Sequence, residues 1–364
     1  MERRQRVLVS RLLVAGAVAL LGLAKAAEAQ WELKADDGKT SIKFGYLVQA
    51  RAESEEQAVG DDAQNLFFRR LRLLFGGKLT EKWSYFIETD SPNLGKSDNA
   101  GNKDTGDVFI QDAFFTYEHS DQVKVDLGMI LIPFARNSSQ SAATHLAQDY
   151  GPYSFLASAP TKSRVGRDYG VQARGYLADK KFEYRFGVFD GARGTNASEE
   201  FRFAGRVAYN FFESETGFFY TGNNLGAKRQ LAIGAAFDQQ DDYQGLGFDL
   251  FYDQPIGKTG NAFTFQIDAI QYDGGKTFTT LPDQDTLLVE VGYFFGGKKL
   301  QPYLQYAERD FAKASTADED QLWVGLNYRP GKHNATFRVA YGQLGKDGAD
   351  DRNILQLTFQ LFKF

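Results

Sequence analysis

Cysteine is absent from the 364 residues, and methionine (2), histidine (3) and proline (8) are scarce. Without cysteine there is no disulfide, no thiolate metal site and no Cys-x-x-Cys-His haem attachment. The histidines, His119, His145 and His333, are isolated, and such spacing makes no metal site. No cofactor and no metal is therefore expected. Long apolar runs are missing as well. The one candidate, residues 12–24, is too short to span a bilayer comfortably. A mean hydropathy of −0.41 argues against a helical membrane protein. It does not exclude a barrel, where lipid-facing and lumen-facing residues alternate and the average stays polar. A basic excess is also lacking: the formal charge is −5, which argues against a nucleic-acid partner.

What is present begins with an export signal. Arg3, Arg4, Arg6 and Arg11 precede the apolar run, and Ala27-Glu28-Ala29 matches a small-x-small cleavage site. The expected division is a signal peptide over 1–29 and a mature chain over 30–364. Removing five basic and two acidic residues with the signal takes the charge from −5 to −8. A membrane anchor is the alternative reading, and the shortness of the run speaks against it.

Aromatic residues are plentiful, with 32 Phe and 18 Tyr, and they favour strands and membrane interfaces. Period-2 alternation recurs from residue 40 to the end. Phe182, Tyr184, Phe186 and Val188 alternate with Glu183, Arg185 and Gly187; Leu322, Val324, Leu326 and Tyr328 alternate with Trp323, Gly325 and Asn327. About sixteen such strands can be counted, from 40–51 to 352–364. Short turns such as 119–121 and 179–180 alternate with longer connections such as 91–107 and 132–166. That alternation marks a barrel rather than a sandwich. The connection 212–227 is long where a short turn is due, and 239–242 is short where a loop is due. The expected fold is all-β: an outer-membrane transmembrane antiparallel barrel of about sixteen strands. Its third external loop, 132–166, is the longest and the candidate to fold into the pore. The terminal Phe362-Lys363-Phe364 is similar to the signal read by the outer-membrane assembly machinery. Phe362 and Phe364, however, share parity with polar Gln360, Thr358 and Gln356, so a bulge near Leu361 is expected to align the last strand.

Parity also sorts the charges. In strand 65–76, Leu71, Leu73 and Phe75 face lipid, so Arg70 and Arg72 face the lumen. The same rule turns Arg174, Arg185, Arg202, Arg206 and Arg338 inward, because arginine facing mid-bilayer lipid costs about 2–4 kcal/mol. Arg136 and Arg164 come from the long loop and Arg167 from the next strand start. Inward carboxylates include Glu88, Asp112, Asp126, Asp249 and Asp268. Two readings stand side by side: an ion-pair network that stiffens a hydrated barrel, and a cationic wall that guides anions. On the second reading these arginines are solvated, so replacing them alters selectivity and hardly alters stability. The first external loop is acidic, with Glu53, Glu55, Glu56, Asp61 and Asp62, which opposes strong phosphate selectivity. Ser138, Ser139 and Ser141 lie near His145, but this spacing is common by chance and no catalytic site is expected.

Six segments then occur in order: Phe68-Arg69-Arg70-Leu71-Arg72; Gly77-Lys78-Leu79 before Trp83; Asp112-Ala113-Phe114; Gly128 through Pro133-Phe134; residues 167–172 (RDYGVQ); and residues 187–191 (GVFDG). Together they resemble the phosphate-selective porin O and P family over roughly residues 40–240. The resemblance implies a sixteen-stranded trimeric porin with an inward third loop, and anion or phosphate uptake. Its best-known members carry an arginine ladder and a lysine cluster; a lysine-rich mouth is not evident here. The function expected is passive diffusion of small hydrophilic solutes or ions, without catalysis. Outer-membrane lipid and lipopolysaccharide would surround it. A barrel hydrolase and a sheath enclosing partner proteins are the alternatives.

Overall fold

The structure is a computed structural model and describes residues 31–364 except 58, 99 and 195–198. The expected signal peptide lies outside the described residues. Among the described residues seventeen strands are formed: β1 Trp31–Lys34, β2 Ser41–Glu55, β3 Ala63–Lys78, β4 Trp83–Asp90, β5 Phe109–Glu118, β6 Lys124–Leu131, β7 Arg167–Leu177, β8 Phe182–Phe189 and β9 Arg202–Asn210. The second half holds β10 Gln230–Gln240, β11 Tyr243–Ile256, β12 Asn261–Asp273, β13 Gln284–Phe294, β14 Leu300–Phe311, β15 Glu319–Tyr328, β16 Ala335–Lys346 and β17 Arg352–Lys363. Each of β2–β17 pairs antiparallel with its sequence neighbours, and β17 closes on β2 from Lys363↔Tyr46 to Ile354↔Glu55. Closure leaves these sixteen strands without an edge, the condition for a sheet in lipid. All sixteen expected spans have a counterpart. The four-residue β1 was not expected; it pairs with Ser41–Phe44 of β2, beside the end of β17.

The alternation resolves as parity predicts. Leu127, Phe186, Phe203, Val324 and Tyr341 are exposed on the outside, while Asp126, Arg185, Arg202, Gln305 and Arg338 are buried within. Two bulges interrupt it. Gln49 pairs with Arg70 and Ala50 with Phe68, so Arg69 is the extra residue; Glu88 pairs with Asp112 and Thr89 with Ile110, so Gln111 is extra. A bulge lets two successive side chains turn to one face.

The bulge expected near Leu361 is absent. The register of β17 is unbroken against both β16 and β2. Phe362 and Phe364 therefore follow Gln360 on the inward side. The Phe364 ring meets Phe86 edge-on at 5.5 Å, and a Cβ on Gly76 would lie 2.8 Å from it. Glycine at this wall position leaves room for the terminal ring.

The loop between β6 and β7 carries a single helical turn, α1 (Ser158–Thr161). It does not stand out from the barrel. Asn137 N–H donates to Asp268 on β12 at 3.1 Å, and Asn327 Nδ2 on β15 donates to the Leu146 carbonyl at 2.8 Å. Arg338 Nη1 on β16 donates to Ala147 at 2.6 Å, and Gln360 Nε2 on β17 to Ala143 at 2.9 Å. Side chains of four strands across one side of the barrel thus hold the segment, which is buried from Ile130 to Gln140. The over-long connection between β9 and β10 also turns in. Tyr220 N–H donates to the Ser139 carbonyl and Ser141 N–H to the Tyr220 carbonyl, both at 2.9 Å. Two inserted segments, entering from opposite ends, meet inside.

Gly128 of β6 has φ +134°, and a Cβ there would fall 2.3 Å from the Ala113 carbonyl oxygen. Gly128→Ala should cost about 1–3 kcal/mol of local strain. The expected outcome is a lower unfolding temperature of the folded band in heat-modifiability gels; an unchanged temperature would show that β5 and β6 separate freely.

Candidate functional site

Among the described residues, two chambers of similar size lie beside the inserted segments. The upper, on the loop side, has a volume of about 400 Å³; the lower, on the side of both termini, about 430 Å³. Arg72, Tyr150 and Arg167 line both, so the chambers meet at these three residues. Arg72 comes from β3, Arg167 from the start of β7 and Tyr150 from the loop. At that junction Tyr150 of the loop stands with Arg72 and Arg167 of the wall.

The ten arginines anticipated from sequence divide here. Arg70, Arg72, Arg164 and Arg167 line the upper chamber, and Arg72, Arg167 and Arg174 the lower. The others serve the inserted segments or the wall. Arg136 bonds Glu215 at 2.7 Å and lies over the rings of Phe251 and Tyr220. Arg185 donates to the Phe218 and Gly217 carbonyls and to Glu183. Arg206 pairs with Asp249 and donates to Tyr220 Oη; Arg202 pairs with Asp238; Arg338 holds the loop carbonyls. None of these five touches either chamber. The expectation of solvated arginines is corrected at nine of the ten positions. Only Arg164 is exposed, stacked 3.7 Å over Phe109 and without a carboxylate partner among the described residues. Inward guanidinium groups need acceptors once a loop displaces the water around them.

The pairing is detailed. Arg72 Nη1 donates to Glu88 at 2.6 Å and Nε to Asp90 at 2.9 Å. Arg167 forks onto Asp112 at 3.0 and 3.1 Å, and Arg174 onto Asp126 at 2.7 and 3.2 Å. Asp112 and Asp126 are wholly buried and line neither chamber; their arginines stand in front of them. The chamber surfaces are consequently cationic. The upper carries Arg69, Arg70, Arg72, Arg164 and Arg167 against Asp90 and Asp149, five less two; the lower carries three arginines against Glu88.

Sequence reasoning did not assign Arg51, Arg69 or Asp149 to the site. Asp149 sits at the loop tip and accepts from Arg51 at 2.8 Å, Arg69 at 3.0 Å and Arg70 at 2.6 Å. Burial alone would raise its carboxyl, yet Arg69, Arg70 and Arg51 hold it well below the usual carboxylate range. Arg69 lies on the lipid parity of β3 and reaches Asp149 only through the bulge. The acidic first loop is partly neutralised: Lys96 meets Glu53 at 2.7 Å and Arg352 meets Glu55 at 3.2 Å. His145 is buried edge-on against Tyr150, and among the described residues neither ring nitrogen has a hydrogen-bond partner, a serine included.

Comparison with known proteins follows the same lines. A family model described as phosphate-selective porin O and P matches residues 42–232, just over half of the chain. No curated protein sequence matches. Among solved structures, an anion-selective porin from Comamonas acidovorans aligns with a TM-score of 0.62 at 15% identity, covering 89% of this chain and all of that one. The outer membrane channel DcaP of Acinetobacter baumannii aligns with a TM-score of 0.57 at 15% identity, covering 90% and 99%. The trimer form of OmpT from Vibrio cholerae gives 0.53 at 13%, covering 89% and 100%. At these identities the likeness is one of fold.

Asp149→Asn removes a charge-assisted acceptor from three guanidinium groups, each such bond contributing about 1.5–3 kcal/mol. The variant should lose its folded band at a lower temperature than the parent. A depressed carboxyl contributes above its unfolded pKa of about 3.9, and the contribution is lost as pH falls through the lower folded value. The difference between parent and variant should therefore be constant from pH 7 to about 4 and vanish only below. A difference already gone at pH 5 would contradict the clamp.

Proposed function

The chain belongs to the phosphate-selective porin O and P family and is an outer-membrane porin for passive diffusion; on that premise we propose that its pathway prefers small anions. The observation that carries this is the order of charge along the chambers. Arginines outnumber the carboxylates Glu88, Asp90 and Asp149 on the surface, and the fully buried Asp112 and Asp126 lie behind them. A permeating ion is nearest to the guanidinium groups, and low-dielectric walls focus their field. The pairs still matter: each lumen arginine with a carboxylate behind it attracts an anion less than a free one would. Exposed Arg164 therefore contributes most per residue at the entrance. The preference is moderate, and inorganic phosphate is one anion among those admitted. Fold and family point to a channel rather than an enzyme.

The loop 132–166 is the constriction, with Tyr150 set against Arg72 and Arg167 at the junction of the chambers. We also propose a signal peptide over 1–29 removed before Gln30, and a homotrimer in lipid and lipopolysaccharide. The trimeric Vibrio cholerae relative supports the last.

Reversal potential across a bilayer in a potassium chloride gradient tests the anion preference. The parent should be anion-selective, increasingly so at low salt, because the Debye length grows from about 8 Å at 0.15 M to about 30 Å at 0.01 M. Arg164→Gln should shift the potential toward cations and leave the folded band's unfolding temperature unchanged. A cation-selective parent would overturn the proposal.

A further inference from the structure

The lumen of a diffusion pore is polar, since it faces water. The lower chamber departs from that rule. On the inward parity that carries Arg72, Glu88 and Asp112 higher up, the wall turns apolar: Leu74, Phe86 and Phe114 stand below them on β3, β4 and β5, and Leu47 of β2 is level with Arg72. The inserted β9–β10 connection adds Phe218 and Phe219, and the C-terminus adds Phe364. The rings form one connected nest. Phe114 stacks on Phe218 at 4.4 Å, Phe86 meets Phe219 at 5.7 Å and Phe364 at 5.5 Å, and Phe218 meets Phe219 at 4.9 Å.

The nest is not closed packing. Phe114 is buried, but Phe86, Phe218, Phe219 and Phe364 each keep exposed surface, and all line the chamber. Holding aromatic surface against water is unfavourable by about 25 cal/mol for each Å². Something apolar that passes through would cover it. A cation stands at the rim. Arg174 lies 5.2 Å over Phe218, and its Nε and Nη2 are taken by Asp126. Its Nη1 has no acceptor among the described residues. Arg72 and Arg167 line the same chamber above.

Resting on the porin reading, we propose that the lower chamber is a binding station for aromatic carboxylates: the ring lies on Phe86, Phe218 and Phe219, and the carboxylate accepts from Arg174 Nη1. The carboxylate takes the one guanidinium nitrogen that Asp126 leaves open, and ring-on-ring contact adds to area burial. An aliphatic carboxylate of the same charge meets the arginine and finds nothing to cover the rings. Inorganic phosphate likewise gains only the electrostatic half. The station sits between the arginine junction and the terminal end, where a solute leaves the constriction.

The test uses the full-length protein in planar bilayers, with chloride current interrupted by benzoate, acetate or inorganic phosphate at equal ionic strength. Benzoate should half-block at about tenfold lower concentration than acetate, equivalent to about 1.4 kcal/mol for one aromatic contact set. The double variant F218A/F219A should bring the two half-blocking concentrations together. F218L/F219L keeps the apolar bulk and should retain part of the difference, which guards against misfolding of the inserted connection. Arg174→Gln should weaken block by benzoate and acetate alike. Equal block by benzoate and acetate in a conducting parent overturns the station and leaves the pore standing. A benzoate preference untouched in F218A/F219A does the same. A folded, heat-modifiable parent that passes no current overturns the porin reading itself.

Discussion

A chain that crosses the inside of a barrel has no strand to pair with, yet its peptide groups still need partners where water is thin. Here the wall supplies them from side chains. The carbonyls of residues 142, 143, 145, 146 and 147 accept from Gln49, Gln360, Arg329, Asn327 and Arg338. An unsatisfied buried acceptor costs about 1–3 kcal/mol, so five left open would rival the about 5–15 kcal/mol that stabilises a whole domain. The long amide and guanidinium side chains on β2, β15, β16 and β17 are explained by this need. Small residues at Ala142, Ala143 and Ala147 let the segment approach the wall closely. Seating the loop there leaves Arg72 of β3 and Arg167 and Arg174 of β7 on the lining of the chambers.

The same constraint divides the arginines. Where the loop and the β9–β10 connection lie, an inward guanidinium becomes an anchor: Arg136, Arg185 and Arg206 all bond the residues 215–221 or the ring of Tyr220. Where the lumen stays open, the guanidinium forms its surface. The cost of a buried charge is met in both cases by a carboxylate or several carbonyls, as it must be. The ion-pair reading holds for both sets, since Arg72, Arg167 and Arg174 are paired as well; the cationic wall belongs to the proposed anion preference.

How far the sequence could be read follows from what period-2 alternation encodes. It states which face a side chain takes, so all sixteen barrel strands and the inward placement of Arg70, Arg174 and Arg202 were legible. It does not state depth along the pore or what lies opposite. Arg136 and Arg164 come from one loop and meet opposite fates, a buried pair with Glu215 and an exposed stack on Phe109. A bulge defeats the rule outright: Arg69 carries lipid parity, and one extra residue opposite Gln49 sends it to Asp149. The anomalous length of 212–227 was visible, but its inward course depends on Tyr220 pairing with Ser139 and Ser141, which no local pattern records.

The terminal phenylalanine shows how one missed constraint propagates. With a bulge near Leu361, Phe362 and Phe364 would have faced lipid beside Leu355 and Leu357. The register runs straight, so both stay on the face of Gln360, and the last ring enters the lumen over Gly76. Its partner there is Phe86, which also meets Phe219 of the inserted connection. A residue read as an assembly mark therefore also lines the lower chamber. The apolar band beneath the arginines then has one physical origin. Toward the terminal end the wall, the connection and the C-terminus bring their rings together, beside the Arg174–Asp126 pair.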